Sequence, residues 1–255
     1  MSTAATGRVA AIIPAAGSGV RLGADVPKAF LALGGLSLLT RSALAMSAVA
    51  DVLIIAAPAD ALDEASAQLA QVDAEIHIVA GGEHRQESVA KALRMVPEDV
   101  SIVLVHDAAR PLVPIEVTKN VVDAVRNGAK AVIPVLSLVD TIKRVNNNGI
   151  AIETVDRNQL RRVQTPQGFD LEVLKKAHAT GADATDDGAL VEAIGHKVLI
   201  IKGEERALKI TTPSDLAILT KQSIRPLNCH SLAPLARSAP SLVLAKSSGY
   251  TTNNE

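Results

Sequence analysis

Val9-Ala10-Ala11-Ile12-Ile13-Pro14 runs directly into Ala15-Ala16-Gly17-Ser18-Gly19-Val20-Arg21-Leu22-Gly23. The first part is continuously apolar, as a strand covered by helices on both faces is, and the glycines suit the turn that leads such a strand into a crossover. The same alternation repeats along the chain. Asp51–Ala57, Glu75–Ala80, Ile102–His106 and Ala129–Val135 read as further strands. Between them, helical spacing of apolar residues predicts helices at Leu38–Ala48, Ala61–Val72, Glu87–Met95 and Ile115–Asn127, the last stopped by Gly128. The class expected is α/β, with a Rossmann-like, mostly parallel sheet flanked by helices.

The alternation breaks after Val135. Thr141–Val145 and Ile150–Val155 have strand spacing around Asn146-Asn147-Asn148-Gly149, residues that tolerate the positive φ of a hairpin turn. A hairpin inserted into such a sheet is expected to project as an arm, at about residues 138–158, and its Val and Ile residues to pack on a second subunit. Lys197–Ile201 and Ala207–Ile210 are expected as strands, with three more helices. The last opens with Thr212-Pro213-Ser214-Asp215: a capping hydroxyl, a proline in the first turn and an acid at the third helical position. From Pro226 onward, prolines among serines leave no period, so residues 1–225 are expected to form one domain and 226–255 a flexible tail.

Composition excludes several classes. The 255 residues carry 26 Lys+Arg against 27 Asp+Glu, so there is no long-range positive field for a nucleic acid. Phe30, Phe169 and Tyr250 are the only aromatic residues, too few for a base-stacking platform. No apolar run approaches the ~18 to 20 residues that span a bilayer. The single Cys229 rules out an intrachain disulfide and a Cys-based zinc cluster, which fits a reducing compartment, so a cytoplasmic protein is expected.

Three segments at strand ends carry chemistry. In the glycine segment, Gly17 and Gly19 let backbone N–H groups approach a phosphate, although an ordinary βα turn also uses glycine. A dinucleotide fingerprint fails, because Leu22 holds the third glycine position and the second strand ends Ala56-Ala57-Pro58 without an acid. Gly-Lys-Ser/Thr is absent as well. What remains is a glycine loop with Arg21 and Lys28 near it, a fork and a point charge suited to a triphosphate whose α-phosphorus is attacked while pyrophosphate leaves. In Val103-Leu104-Val105-His106-Asp107-Ala108-Ala109-Arg110, a strand delivers Asp107 and Arg110 to its carboxyl end, where open α/β sheets bind ligands. Asp107 suits Mg²⁺, which takes one or two carboxylates plus substrate phosphates; a helix-capping Asp and a surface Arg would look the same. In Gly81-Gly82-Glu83-His84-Arg85-Gln86-Glu87-Ser88, glycines and Ser88 suit either a base or ribose pocket or a simple turn.

Together these motifs carry a family resemblance. Pro14-Ala15-Ala16-Gly17-Ser18-Gly19 with Arg21, Pro27-Lys28 with Phe30, Val105-His106-Asp107-Ala108-Ala109-Arg110, Asp140-Thr141, Val155-Asp156-Arg157, Gln164-Thr165-Pro166-Gln167 and Thr185-Asp186-Asp187 resemble 2-C-methyl-D-erythritol 4-phosphate cytidylyltransferases, in order and spacing over about residues 8 to 222. The resemblance implies a nucleotidyltransferase fold and a homodimer joined through the arm. It further implies a Mg²⁺-dependent (or other divalent-cation) reaction of CTP with a polyol phosphate in the non-mevalonate isoprenoid pathway. Carried over by motif, Ala15, Ala16, Gly17, Gly82 and Ser88 would surround CTP, and Asp107 would hold the metal beside the substrates. Arg110, Thr165, Thr185 and Lys209 would face the polyol phosphate, with Thr141 and Arg157 reaching it from the partner's arm. Arg21, Lys28, Arg157 and Lys209 would be the catalytic charges. Val20 stands where many relatives carry a second basic residue, and Glu83 where many carry Asp.

The nucleophile in such a reaction is a phosphate oxygen, already anionic near neutral pH, so no general base is needed. Catalysis would rest on holding donor and acceptor in line and cancelling charge on the phosphates. Two alternatives stand beside this reading. A D-ribitol 5-phosphate cytidylyltransferase has closely similar motifs. A non-catalytic nucleotide-binding regulatory relative would be free to lose Arg21, Lys28 or Asp107, and all three are present.

Overall fold

The computed structural model describes residues 7–17, 26–223 and 242–244. Its strands are β1 (Arg8–Pro14), β2 (Ala32–Leu33), β3 (Leu36–Ser37), β4 (Val52–Ala57), β5 (Glu75–Ala80), β6 (Val100–Val105), β7 (Ala131–Ser137), β8 (Ile142–Val145), β9 (Ala151–Val155), β10 (Arg161–Val163), β11 (Gln167–Asp170), β12 (Val198–Lys202) and β13 (Leu242–Leu244). Its helices are α1 (Leu38–Ser47), α2 (Leu62–Leu69), α3 (Arg85–Leu93), α4 (Ile115–Arg126), α5 (Leu171–Ala179), α6 (Asp187–Ala193) and α7 (Pro213–Ser223).

β1 lies at the centre of the main sheet, parallel to β6 on one side and β4 on the other, with β5 parallel to β4 beyond. β11 sits between β6 and β7, antiparallel to both, and β12 runs parallel along the far edge of β7. The sheet is therefore mostly parallel, as expected. Side-chain alternation sorts the core into two layers. Val9, Ala11, Ile13, Leu53, Ile55 and Leu104 pack with α1, α2 and α4, while Ala10, Ile12, Ile54, Val103, Val105 and Phe169 pack with α3, α5 and α6.

The Asn-rich turn does close a hairpin. β8 and β9 pair antiparallel and form a two-stranded sheet of their own. Asn146 Oδ1 accepts from the N–H groups of Asn148 and Ile150, both at 3.0 Å, and Gly149 takes a φ of 76°. Val139, Val145, Ile150 and Ile152 on this segment are all exposed.

Ala207–Ile210, expected as a strand, is instead a 3-10 turn at Glu205–Ala207 followed by an extended segment that makes one backbone bond, Ile210 N–H to Ala109 O at 2.8 Å. Its alternation is real, because Leu208 and Ile210 pack with Leu33, Leu38 and Leu219 while Lys209 faces the other way. Of residues 226–255, expected as a flexible tail, Leu242–Leu244 are described, and they add a parallel strand to the edge of β5. Among the described residues no helix is long and apolar enough to cross a membrane.

Candidate active site

A cleft of about 400 Å³ opens at the carboxyl ends of β1, β5 and β6. β1 delivers Ala15–Gly17, anchored by Ala15 N–H on Ala56 O at 2.8 Å. Residues 18–25, Arg21 among them, lie outside the described residues. The described chain resumes at Val26, and after Pro27 Lys28 opens a 3-10 turn whose next residues, Ala29 and Phe30, are buried. That burial fixes the base of the Lys28 side chain on the cleft wall.

β5 delivers Gly81 and Gly82. A Cβ on Gly81 would sit 2.5 Å from Ala16 Cβ, so the two glycine turns meet only because this position has no side chain. Ser88, in the first turns of α3, is 1% exposed, and its Oγ accepts from Gly82 N–H at 3.0 Å and donates to His84 O at 3.1 Å. Ser88 thus shapes the turn as well as lining the cleft.

β6 delivers Asp107, and three cations converge on it. Arg85 Nε stands 2.9 Å from Oδ1, Lys209 Nζ 2.8 Å from Oδ2, and Arg110 Nε 4.0 Å from Oδ2. Burial alone would raise the Asp107 pKa, but the charges and hydrogen bonds of Arg85 and Lys209 outweigh it and hold the carboxyl well below the usual range. The group is a permanent anion facing the cleft. Behind it, Asp107 N–H donates to Thr165 Oγ1 at 3.1 Å, and Thr165 Oγ1 lies 3.2 Å from His106 Nδ1. His106 is fully buried, with Nε2 at 3.3 Å from Arg110 O. Burial drives its pKa down to about 4, so the ring is neutral. The pattern that satisfies every atom has Thr165 donating to Nδ1 and Nε2–H donating to the carbonyl.

Arg85 also reaches Asp187 Oδ2 at 2.7 Å, and Asp187 Oδ1 pairs with His178 Nε2 at 2.9 Å. Asp187 is 1% exposed; burial would raise its pKa, yet the His178 hydrogen bond and the Arg85 charge keep it lowered. The sequence assigns no role to Arg85 or His178, and Asp187 stands in it only as the last residue of the Thr185-Asp186-Asp187 motif. The local signal for Arg85 is its place where a strand-glycine turn enters a helix.

Of the expected site residues, Ala15, Ala16, Gly17, Lys28, Gly82, Ser88, Asp107 and Lys209 line one cleft, as does Glu83. Arg110 does not line it. Its guanidinium donates to Ala207 O at 2.7 Å and Val163 O at 3.1 Å, which braces the segments carrying Lys209 and Thr165. Thr165 is buried behind Asp107, and Thr185 is exposed in the loop before α6. Thr141 and Arg157 sit on the hairpin segment, where Arg157 Nη1 donates to Val139 O. Among the described residues, no three His, Cys, Asp or Glu side chains cluster as a metal cage.

Known proteins resemble this chain over most of its length. Residues 9–222 match the family model described as IspD, 2-C-methyl-D-erythritol 4-phosphate cytidylyltransferase. A protein of that description from Saccharopolyspora erythraea is 51% identical over 217 residues, covering 82% of this chain and 96% of that protein. One from Frankia casuarinae is 49% identical over 217 residues, covering 84% and 80%. The crystal structure of 2-C-methyl-D-erythritol 4-phosphate cytidylyltransferase from Thermus thermophilus superposes with a TM-score of 0.70 at 34% identity, over 85% of this chain and 99% of that one. The 4-diphosphocytidyl-2C-methyl-D-erythritol synthase from Anaerococcus prevotii gives 0.75 at 28% identity, over 86% and 97%. With the glycine turns, Lys28, Lys209 and Asp107 gathered at the strand ends, and with a family match over nearly all the described residues, the chain belongs to the 2-C-methyl-D-erythritol 4-phosphate cytidylyltransferase family.

Proposed function

We propose that this chain transfers the cytidylyl group of CTP to 2-C-methyl-D-erythritol 4-phosphate, giving 4-CDP-2-C-methyl-D-erythritol and pyrophosphate, a step of isoprenoid precursor synthesis. The observation that carries this reading is one cleft combining two apposed glycine turns, two lysines and a permanently ionised Asp107. An oxygen of the acceptor phosphate attacks the α-phosphorus of CTP, the new P–O bond forms, and the bond to the bridging oxygen breaks with its electron pair leaving on pyrophosphate. The glycine turns offer backbone N–H groups to the nucleotide. Lys28 and Lys209 cancel charge that builds on the phosphates, and Arg21 is assigned to the same task. No proton must be removed from the nucleophile, so the neutral, buried His106 serves Asp107 and Thr165 rather than acting as a base.

A divalent cation fits the residues present. Asp107 is an anionic carboxylate at the cleft wall, and Mg²⁺ takes one or two carboxylates together with substrate phosphates. When bound it would neutralise triphosphate charge. Lys209 and Arg85 now cover both oxygens of Asp107, so Lys209, the more exposed partner, is the group expected to turn toward phosphate.

Assembly as a homodimer through the hairpin is part of the proposal. It is supported by four apolar residues standing exposed on the arm and by Thr141 and Arg157 lying there rather than in the cleft. A cytoplasmic location follows from the small charged substrates such a reaction uses.

Pyrophosphate release tests the reading. With CTP and Mg²⁺, turnover is expected with 2-C-methyl-D-erythritol 4-phosphate and not with D-ribitol 5-phosphate. Turnover with the linear polyol alone would transfer the assignment to the ribitol enzyme, and turnover with neither would refute a cytidylyltransferase.

A further inference from the structure

The nucleotide turn and the loop carrying Thr185 lie far apart in sequence, yet two adjacent residues of α3 hold them together. Gln86, half-buried in the first turn of α3, spends both ends of its amide on this loop: Nε2 donates to Ala182 O at 2.5 Å, and Oε1 accepts from Ala184 N–H at 3.2 Å. Bonding an acceptor and a donor two residues apart is what a neighbouring strand would do, and it fixes the peptides between them. Arg85 beside it holds Asp187 at 2.7 Å. Thr185 stands exposed between these two anchors. Residues 181–186 have no helix or strand of their own, Gly181 takes a φ of 68° as the chain leaves α5, and Ala182 and Ala184 are only partly buried. The loop therefore depends on bonds supplied from outside it.

We propose that Gln86 is a positioning residue for the acceptor substrate: its amide sets loop 181–186 so that Thr185 is presented beside the cleft. Acceptor placement is thereby tied to the same helix whose Ser88 shapes the nucleotide turn. The inference rests on the reading of Thr185 as an acceptor contact, and the test separates the two.

Full-length enzyme carrying Gln86→Met keeps side-chain length and loses both bonds. Its KM for 2-C-methyl-D-erythritol 4-phosphate is expected to rise about tenfold, the loss of roughly two neutral hydrogen bonds, with kcat and the KM for CTP within about twofold of wild type. Hydrogen exchange at the Ala184 amide should accelerate about tenfold or more, because its acceptor is gone. Gln86→Glu keeps the acceptor for Ala184 and loses the donor to Ala182, so it should fall between the two in both readouts. Unchanged exchange at Ala184 would overturn the latch itself. Faster exchange with an unchanged acceptor KM in Gln86→Met, where Thr185→Ala does raise it, would overturn the positioning role and leave Thr185 in place. An unchanged KM in both variants would remove Thr185 from the acceptor site and the inference with it. An equal rise in the KM for CTP would make Gln86 part of the nucleotide turn instead.

Discussion

At the scale of single residues, Lys28 and Asp187 separate chemistry from support. Lys28 lines the cleft on a turn anchored by buried neighbours, so Lys28→Ala should fold normally. It is expected to lose about 10²- to 10³-fold in kcat, the effect of removing one preorganised electrostatic donor, with a much smaller change in CTP binding. Single-turnover kinetics with a separate CTP titration checks the split. Asp187 is a support. Replacing it with Asn leaves Arg85 and His178 without their shared carboxylate, and the expected cost is about 3 kcal/mol at pH 7 by urea unfolding. Because the folded pKa of Asp187 is lowered, its contribution is fully present above the unfolded value of ~3.9 and fades as pH falls through that value toward the depressed folded one. Stability should therefore decline more steeply in wild type than in Asp187→Asn as pH falls below about 5. Glycines and charges at strand ends were legible in the sequence because strand ends are. The Arg85 bridge was not, since it joins positions 22 and 102 residues apart and no local period records such a pair.

At the scale of elements, tight packing against the sheet sets the vulnerable positions. Gly168 of β11 lies under α4, where an added Cβ would meet Val121 Cγ1 at 2.4 Å, with Val125 and Leu104 close behind. Val121 is fully buried and stiff at χ1, so it cannot swing away, and Gly168→Ala is expected to cost about 1 to 3 kcal/mol by overpacking. A chemical denaturation midpoint indistinguishable from wild type would contradict this. At α7 the capping signal in Thr212-Pro213-Ser214-Asp215 is realised in both directions: Asp215 Oδ2 accepts from the N–H groups of Thr211 and Thr212, both at 2.8 Å, and Asp215 N–H donates to Thr212 Oγ1 at 3.3 Å. Strands β4 and β6 were legible because burial on both faces makes them wholly or nearly all apolar, and β5 through Ile76, Ile78 and Val79 beside the part-buried Glu75 and His77. β11 was not. It carries Gln167 and Gly168, a glycine demanded by α4 and a glutamine whose amide bonds Asp186 and Gly188, so its composition reports its neighbours rather than its strand. Ala207–Ile210 misled for the opposite reason, since an extended chain packed on a small apolar cluster alternates like a strand without joining a sheet.

At the scale of the whole molecule, the arm poses a geometric question. Arg157 and Thr141 lie on the hairpin segment while Lys28, Asp107 and Lys209 lie in the cleft, so a site using both sets is built from two chains if the arm crosses to a partner. A twofold dimer would then hold two sites, each with one chain's cleft and the other's arm. Arg157→Ala and Asp107→Ala should each be nearly inactive as homodimers, the first through a raised KM for the acceptor. In a purified heterodimer of the two variants, the Arg157→Ala chain offers an intact cleft and the Asp107→Ala chain an intact arm, which together restore one site and spoil the other twice over. Activity should recover to about half of wild type per dimer. A site complete within one chain predicts no recovery, because each chain would carry its own defect. Replacing Ile152, exposed on the arm, with Asp adds the complementary check: it should shift the dimer toward monomer in sedimentation and lower activity in step with dimer loss.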